Sequence, residues 1–187
     1  MRKLIMWNVI TLDGYFEGEK NWDLGFHELV WGKELEDFSL TQLKSAGMLI
    51  FGETTYKGMA DYWAKAEGDK AEGEIAKYMN KLPKVVCSRK LKTADWNNTT
   101  IVKDAVAEIP KLKQQGNGDI FVFGSGNLSD ALMKADLIDE YRLCIAPVFL
   151  GKGRLLFNQG IPYRNLSLVS TQQLSTGGVV LILAKKL

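Results

Sequence analysis

Ile120-Phe121-Val122-Phe123-Gly124-Ser125-Gly126-Asn127-Leu128 is the stretch that decides the fold. Four consecutive apolar residues, β-branched or aromatic, read as a short strand covered on both faces. Gly116-Asn117-Gly118 ends whatever precedes it, and Gly124-Ser125-Gly126 stops it. Helical composition then continues through about Lys134. A buried strand that turns through glycines into a helix is the repeating unit of α/β folds. The same turn suits an anion: glycine lets the main chain come close, and a helix start offers unbonded N–H groups at a positive dipole end. A simple tight turn is the alternative reading. The segment is not a GxGxxG fingerprint, because Asn127, Leu128 and Ser129 follow, and no Gly-Lys-Ser/Thr makes it a Walker loop.

Two other junctions share this grammar, Phe51-Gly52-Glu53-Thr54-Thr55 and Cys87-Ser88-Arg89-Lys90. Leu4 to Ile10 is apolar apart from Asn8, which suits a central strand ended by Asp13-Gly14. Residues 15–32 lack periodicity and read as a long loop of the kind that carries function. Lys33 to Ser45 reads as a helix with Leu35, Phe38 and Leu43 near one face, ended by Ala46-Gly47. A strand at Met48–Phe51, a helix from Thr54 to Trp63 and a helical excursion from Asp69 to Asn80 follow. Strands at Val85–Cys87 and Thr99–Val102 precede a helix from Ala105 to Gln115, with Pro110 in its middle. Tyr141 to Ala146 is a strand, and a glycine loop follows at Gly151-Lys152-Gly153. The tail reads as a hairpin, Leu166–Leu174 and Val179–Ala184 around Thr176-Gly177-Gly178. Alternating strands and helices predict one α/β domain over 1–187, its sheet mostly parallel and edged by an antiparallel hairpin.

Composition excludes several other classes. The 187 residues are 46% hydrophobic and 25% charged, which is ordinary globular usage. With 24 basic and 22 acidic side chains spread along the chain, no basic footprint marks a nucleic-acid partner. Cys87 and Cys144 lie in apolar runs and read as small buried hydrophobes; without a CxxC pair, neither a disulfide framework nor a zinc site is expected. No run reaches the roughly 18 apolar residues of a membrane span. The N-terminal apolar run reads as a strand with no cleavage site after it, so a cytoplasmic location is expected. His27 is the one histidine, which leaves a Ser–His triad or a histidine metal centre without partners.

Five motifs in order carry a resemblance: Thr11-Leu12-Asp13-Gly14, Gly52-Glu53-Thr54-Thr55-Tyr56, Val86-Cys87-Ser88-Arg89, Phe123-Gly124-Ser125-Gly126 and Ile145-Ala146-Pro147-Val148-Phe149-Leu150-Gly151-Lys152-Gly153. The set resembles the dihydrofolate reductase-like superfamily, in particular its riboflavin-biosynthesis reductase branch (the RibD C-terminal domain), over nearly the whole chain. The resemblance implies a three-layer α/β fold, a mixed and mostly parallel sheet of about eight strands with helices on both faces, and NADPH lying across the strand ends. Gly52, Thr54, Thr55, Gly124, Ser125, Gly126, Asn127 and Leu128 would then hold the diphosphate, with Ser88 and Arg89 near the adenosine phosphate. It also implies a cis peptide at Gly124–Ser125. Many relatives have Arg after the first glycine, paired with the cofactor's 2′-phosphate, where this chain has Glu53. A carboxylate beside a phosphate is repulsive, so either Arg89 supplies the charge or the preference leans to NADH.

On the substrate side the resemblance implies that Asp13 and Gly14 contact substrate and nicotinamide, although Asp13 is also an ordinary turn residue. Glu36 falls near the family's pterin-binding acid, with Asp37 as a rival and a solvated helix carboxylate as the plain reading. Asp13 and Glu36 are thus the catalytic candidates. Trp22 and Trp31 can stack on a planar ring or pack in the core, and Tyr56 can form a pocket wall. No metal or flavin is implied, and a homodimer edged by the terminal hairpin is. The expected activity is an NAD(P)H-dependent reduction of a C=N or C=O group in a small planar heterocycle, pterin-like or aminopyrimidine-like, in the manner of 5-amino-6-(5-phosphoribosylamino)uracil reductase. The sequence lacks the His-x-Glu and Pro-Cys-x-x-Cys pair of a deaminase, basic residues near Asp13, and the Pro-Trp pair of folate reductases. A non-catalytic nucleotide-binding protein on the same fold is the rival, since fold does not fix function.

Overall fold

The computed structural model describes residues 1–66 and 73–186. Its centre is β1 (Leu4–Thr11), buried along its length except for the half-buried Trp7. The segment read as a long loop is partly ordered by pairing: it holds β2 (Tyr15–Glu17) and a 3-10 turn at Gly25–Leu29. Helix α1 (Lys33–Ser45) has Glu34 and Glu36 in its first turn and Lys44 in its last, which matches the helix dipole. Leu35 and Leu43 on its inner face are buried, and Phe38 stacks against Trp7 with ring centres 5.2 Å apart. Ala46 and Gly47, expected as a terminator, already belong to β3 (Ala46–Gly52).

The chain continues through α2 (Glu53–Lys65) and α3 (Gly73–Lys81). The helical excursion expected from Asp69 is thus seen from Gly73 onward, and residues 69–72 lie outside the described residues. Next come β4 (Lys84–Cys87), β5 (Thr99–Val102) and α4 (Ala105–Leu112). The Asp104 carboxylate caps α4 by accepting from the Ala107 N–H at 3.1 Å. With Pro110 inside it, this helix ends at Leu112, short of the expected Gln115. Then follow β6 (Asp119–Phe123), α5 (Gly126–Lys134), β7 (Glu140–Ala146), β8 (Arg154–Leu155), β9 (Leu166–Gln173) and β10 (Val179–Lys185).

Eight strands form one sheet in the order β5-β4-β3-β6-β1-β7-β10-β9. The first six run parallel, while β10 is antiparallel to both β7 and β9. Side chains alternate across the strands, so each face has its own core. Met6, Ile10, Ile120 and Val122 meet Ile109 of α4 and Leu128 and Leu132 of α5. Ile5, Leu49, Phe51 and Phe121 meet Leu43, Tyr56, Ile75 and Met79 on α1, α2 and α3. This is the three-layer α/β architecture expected.

A second, two-stranded sheet joins β2 to β8, so the glycine loop at 151–153 leads into a strand the sequence did not reveal. That small sheet, together with the terminal hairpin, holds the 15–32 segment against the body. Ser175 donates to Glu34 from both its N–H and its hydroxyl at 2.7 Å, and the Thr176 hydroxyl donates to the Val30 carbonyl at 3.2 Å.

Candidate functional site

The three glycine- and serine-rich junctions emerge side by side, because β4, β3 and β6 are consecutive in the sheet. Ligands of open α/β sheets bind beyond the carboxyl ends of such strands. The Gly52 N–H donates to Ser125 Oγ at 3.0 Å, and that hydroxyl donates to the Phe123 carbonyl at 3.1 Å, which locks two of the junctions together. Neither α2 nor α5 has a side-chain cap at its N-terminus. The first N–H groups of a helix have no partner within it, so two bare, positively polarised helix ends face one cleft.

No cis peptide occurs among the described residues, which corrects the expected cis bond at Gly124–Ser125. The chain turns there instead through left-handed backbone at both positions, with φ of 57° at Gly124 and 59° at Ser125.

The cleft measures about 1000 Å³. Its lining contains Gly52, Thr54, Thr55, Ser88, Arg89, Gly124, Ser125, Gly126, Asn127, Leu128 and Trp22 from the sequence-based candidates, and Trp31 as well. At the β4 end, both oxygens of Glu53 are engaged. Lys57 donates to one at 2.6 Å and the Ser88 hydroxyl to the other at 2.5 Å. These bonds, that of Lys57 first, hold the Glu53 carboxyl below its ordinary pKa. Ser88 Oγ also accepts the N–H groups of Lys90 and Leu91 at 3.0 Å each, so Glu53 supports the Ser88–Leu91 turn from beneath. Arg89, Lys90 and Lys103 line this end, and none of them forms an ion pair among the described residues.

The other half of the cleft lies between β1, the 15–32 segment and the inner stripes of α1, α2 and α3. The segment crosses it as a strap seated on two glycines. A Cβ on Gly126 would sit 2.4 Å from Phe16 Cζ, and one on Gly58 would sit 2.0 Å from Trp22 Cζ2, so only glycine lets these rings approach. Trp22 reaches its seat with φ 65°, and its N–H donates to Glu17 Oε1 at 2.7 Å. Glu17 is buried, and its other oxygen accepts from Arg154 Nη1 at 2.7 Å. His27 lines the same wall, where burial pushes its pKa down to about 4, leaving the ring neutral at pH 7. Burial likewise raises the Cys87 and Cys144 thiols to about 12, so both stay protonated and inert.

Four candidates stand outside the cleft lining: Asp13, Gly14, Glu36 and Tyr56. Asp13 accepts from Thr11 Oγ1 at 2.6 Å, Gly151 N–H at 2.8 Å and Leu150 N–H at 3.1 Å. Desolvation alone would raise its pKa, but these bonds outweigh it and leave the value lowered. Asp13 thus ties the turn after β1 to the loop after β7, and Gly14 completes that turn with φ 87°. Glu36 follows Leu35 by about 100° around α1, whose cleft face is Leu35, Ser39, Gln42 and Leu43. Tyr56 is a core residue whose hydroxyl accepts the Trp96 N–H at 3.0 Å.

Residues the sequence reading passed over include Gln42, Lys103, Phe16, Glu17 and Arg154. One signal was available for Gln42: it falls seven residues after Leu35 and beside Leu43, a polar residue on an apolar helix stripe.

The family described as RibD C-terminal domain matches residues 2–180. The chain belongs to this family. Among curated relatives it is 30% identical over 97% of its length, and 94% of theirs, to the uncharacterized protein YyaP of Bacillus subtilis (strain 168). To YwjB of the same organism, also uncharacterized, it is 27% identical over 92% of each chain. Among solved structures, a putative riboflavin biosynthesis protein from Shewanella sp. PV-4 superposes with TM-score 0.78 at 18% identity, covering 99% of both chains. Acinetobacter baumannii RibD gives TM-score 0.68 at 16% identity, with all of this chain matching 59% of that one. These likenesses show that the α/β fold of this chain is the one those two proteins have. No helix among the described residues is long and apolar enough to cross a membrane.

Proposed function

We propose that this protein is an NADPH-dependent reductase acting on a small planar heterocycle of the pterin or aminopyrimidine kind. The observation that carries the reading is the convergence of two uncapped helix N-termini, α2 and α5, joined by the Gly52–Ser125 hydrogen bond. A dinucleotide's diphosphate is the ligand such a pair suits, since each helix end favours negative charge. Gly124 adds no side chain beside it, and Thr54, Thr55 and Asn127 border it.

Arg89, Lys90 and Lys103 favour NADPH over NADH, because Glu53 is already held by Lys57 and Ser88 and acts to shape the turn that carries Arg89. When bound, the cofactor supplies the hydride from its nicotinamide. The chain's part is to hold the two reactants in register and to exclude water beneath the Phe16–Trp22 strap. One observation favours the non-catalytic rival: the carboxylate of Glu17 is fully paired and those of Glu36 and Asp13 lie outside the cleft, so among the described residues the substrate end offers no free acid.

Titration of NADPH and NADH against tryptophan fluorescence tests the reading. NADPH is expected to bind more tightly, and Arg89→Ala to weaken it roughly tenfold with NADH changed less than twofold, the loss of one charge-assisted contact. Millimolar or weaker binding of both cofactors would end the proposal. Binding of NADPH without its oxidation by any heterocycle would favour the binder.

A further inference from the structure

Among the described residues, three side-chain nitrogens in residues lining the cleft are buried without a hydrogen-bond partner: Nδ2 of Asn8, Nε2 of Gln42 and Nε2 of His27. Asn8 is 4% exposed and Gln42 1%. Buried polar groups are almost always bonded, and an unmet one costs about 1–3 kcal/mol. A ligand that accepts from them removes that cost. The Gln42 amide is oriented at its other end, where Oε1 accepts from Arg142 Nη1 at a long 3.4 Å, which leaves its nitrogen to donate. Asn8 is the lone polar residue within the apolar run of β1 and alternates with Trp7 and Val9, so it reaches the cleft from the α5 side. Gln42 reaches it from α1.

In this part of the cleft Glu17 and Arg154 neutralise one another, and neutral His27 adds no charge. Arg89, Lys90 and Lys103, which form no ion pair among the described residues, follow β4 and β5, with β3 and β6 lying between β4 and β1. Trp7, Trp22 and Trp31 supply flat apolar surface.

We infer that the substrate is an uncharged, flat ring bearing carbonyl oxygens and no phosphate, selected by N–H donation from Asn8 and Gln42. The inference rests on the reductase reading only for the placing of the cofactor at the other end. It separates this chain from a reductase of a phosphorylated aminopyrimidine, whose phosphate would meet no free cation among the described residues of this part of the cleft.

Riboflavin and its 5′-phosphate are suitable probes: they share one dicarbonyl ring and differ by a phosphate. Each is titrated into the full chain loaded with NADP⁺, with ring fluorescence anisotropy as the readout. Riboflavin is expected to bind at least tenfold more tightly than its phosphate. Gln42→Glu keeps an acceptor for Arg142 but replaces the donor with a second acceptor, and Asn8→Leu removes the donor on the opposite side. Each is expected to weaken riboflavin at least tenfold with NADP⁺ affinity within twofold. Equal binding of the two probes, binding of neither, or unchanged riboflavin affinity in both variants overturns the inference. Should a variant fail to fold by circular dichroism, the probe ratio on the native chain still decides. Failure of NADP⁺ to bind would instead remove the reductase reading, and the same probe ratio on the unloaded chain would then judge the carbonyl subsite alone.

Discussion

Replacing Gly58 by alanine should destabilise the protein, although the same change in most helices does the reverse. Gly58 lies inside α2, where glycine is less favourable than alanine by about 0.8–1.0 kcal/mol. Propensity alone therefore favours the variant. Against it stands the indole of Trp22: the new methyl would sit 2.0 Å from Cζ2, 2.1 Å from Cε2 and 2.6 Å from Nε1. Contacts that short force the ring off its seat, and overpacking of this kind costs about 1–3 kcal/mol. Trp22 is 40% exposed, so lifting it also returns part of its buried surface to water. The clash wins, and the net effect is a loss of up to about 2 kcal/mol. In a chain of 187 residues that lowers Tm by several degrees, at about 2–4 °C per kcal/mol.

The decisive comparison is a double-mutant cycle. In a Trp22→Ala background the obstacle is gone, so Gly58→Ala should become stabilising and its sign should reverse. Urea unfolding followed by far-UV circular dichroism is the assay, since it does not depend on the tryptophan removed. A Gly58→Ala chain more stable than the native one, or the same ΔΔG in both backgrounds, would show that Trp22 is not seated on α2. The strap would then need another anchor.

Two further outcomes follow from the titrating groups. His27 has its folded-state pKa depressed from 6.5 to about 4, so the unfolded chain binds more protons between those values and stability falls as pH drops through that window. The gap corresponds to at most about 3 kcal/mol; His27→Leu should flatten the pH 7 to pH 4.5 difference in unfolding free energy by up to that amount, and an unchanged profile would mean the ring is hydrated. Asp13→Ala should release the loop after β7 and lower the urea midpoint of unfolding, because three hydrogen bonds to the carboxylate are lost, with NADPH affinity changed less than threefold. A large loss of cofactor affinity at full stability would instead place Asp13 in the binding machinery.

Sequence alone determined what depends on neighbours in the chain. Strand β6, the glycine turn and α5 are set by a run of four apolar residues, two glycines and a helical stretch, all within fifteen positions of one another. The same holds for β1, for α1 between Lys33 and Ser45, and for the terminal hairpin. The diphosphate end of the cleft was legible because each of its walls is a local strand-to-helix junction. Only the tertiary structure decided the direction of individual side chains. Glu53 turns to Ser88, thirty-five positions away, Tyr56 to Trp96, and Asp13 to a loop beyond residue 149. None of these partners lies within reach of a local pattern. The strap is the clearest case: its residues carry no period, and its course is set by two glycines on other helices that leave room for Phe16 and Trp22. Local residues alone leave Gly124-Ser125-Gly126 as either a tight turn or an anion site; folding supplied the second helix end that makes it a cleft.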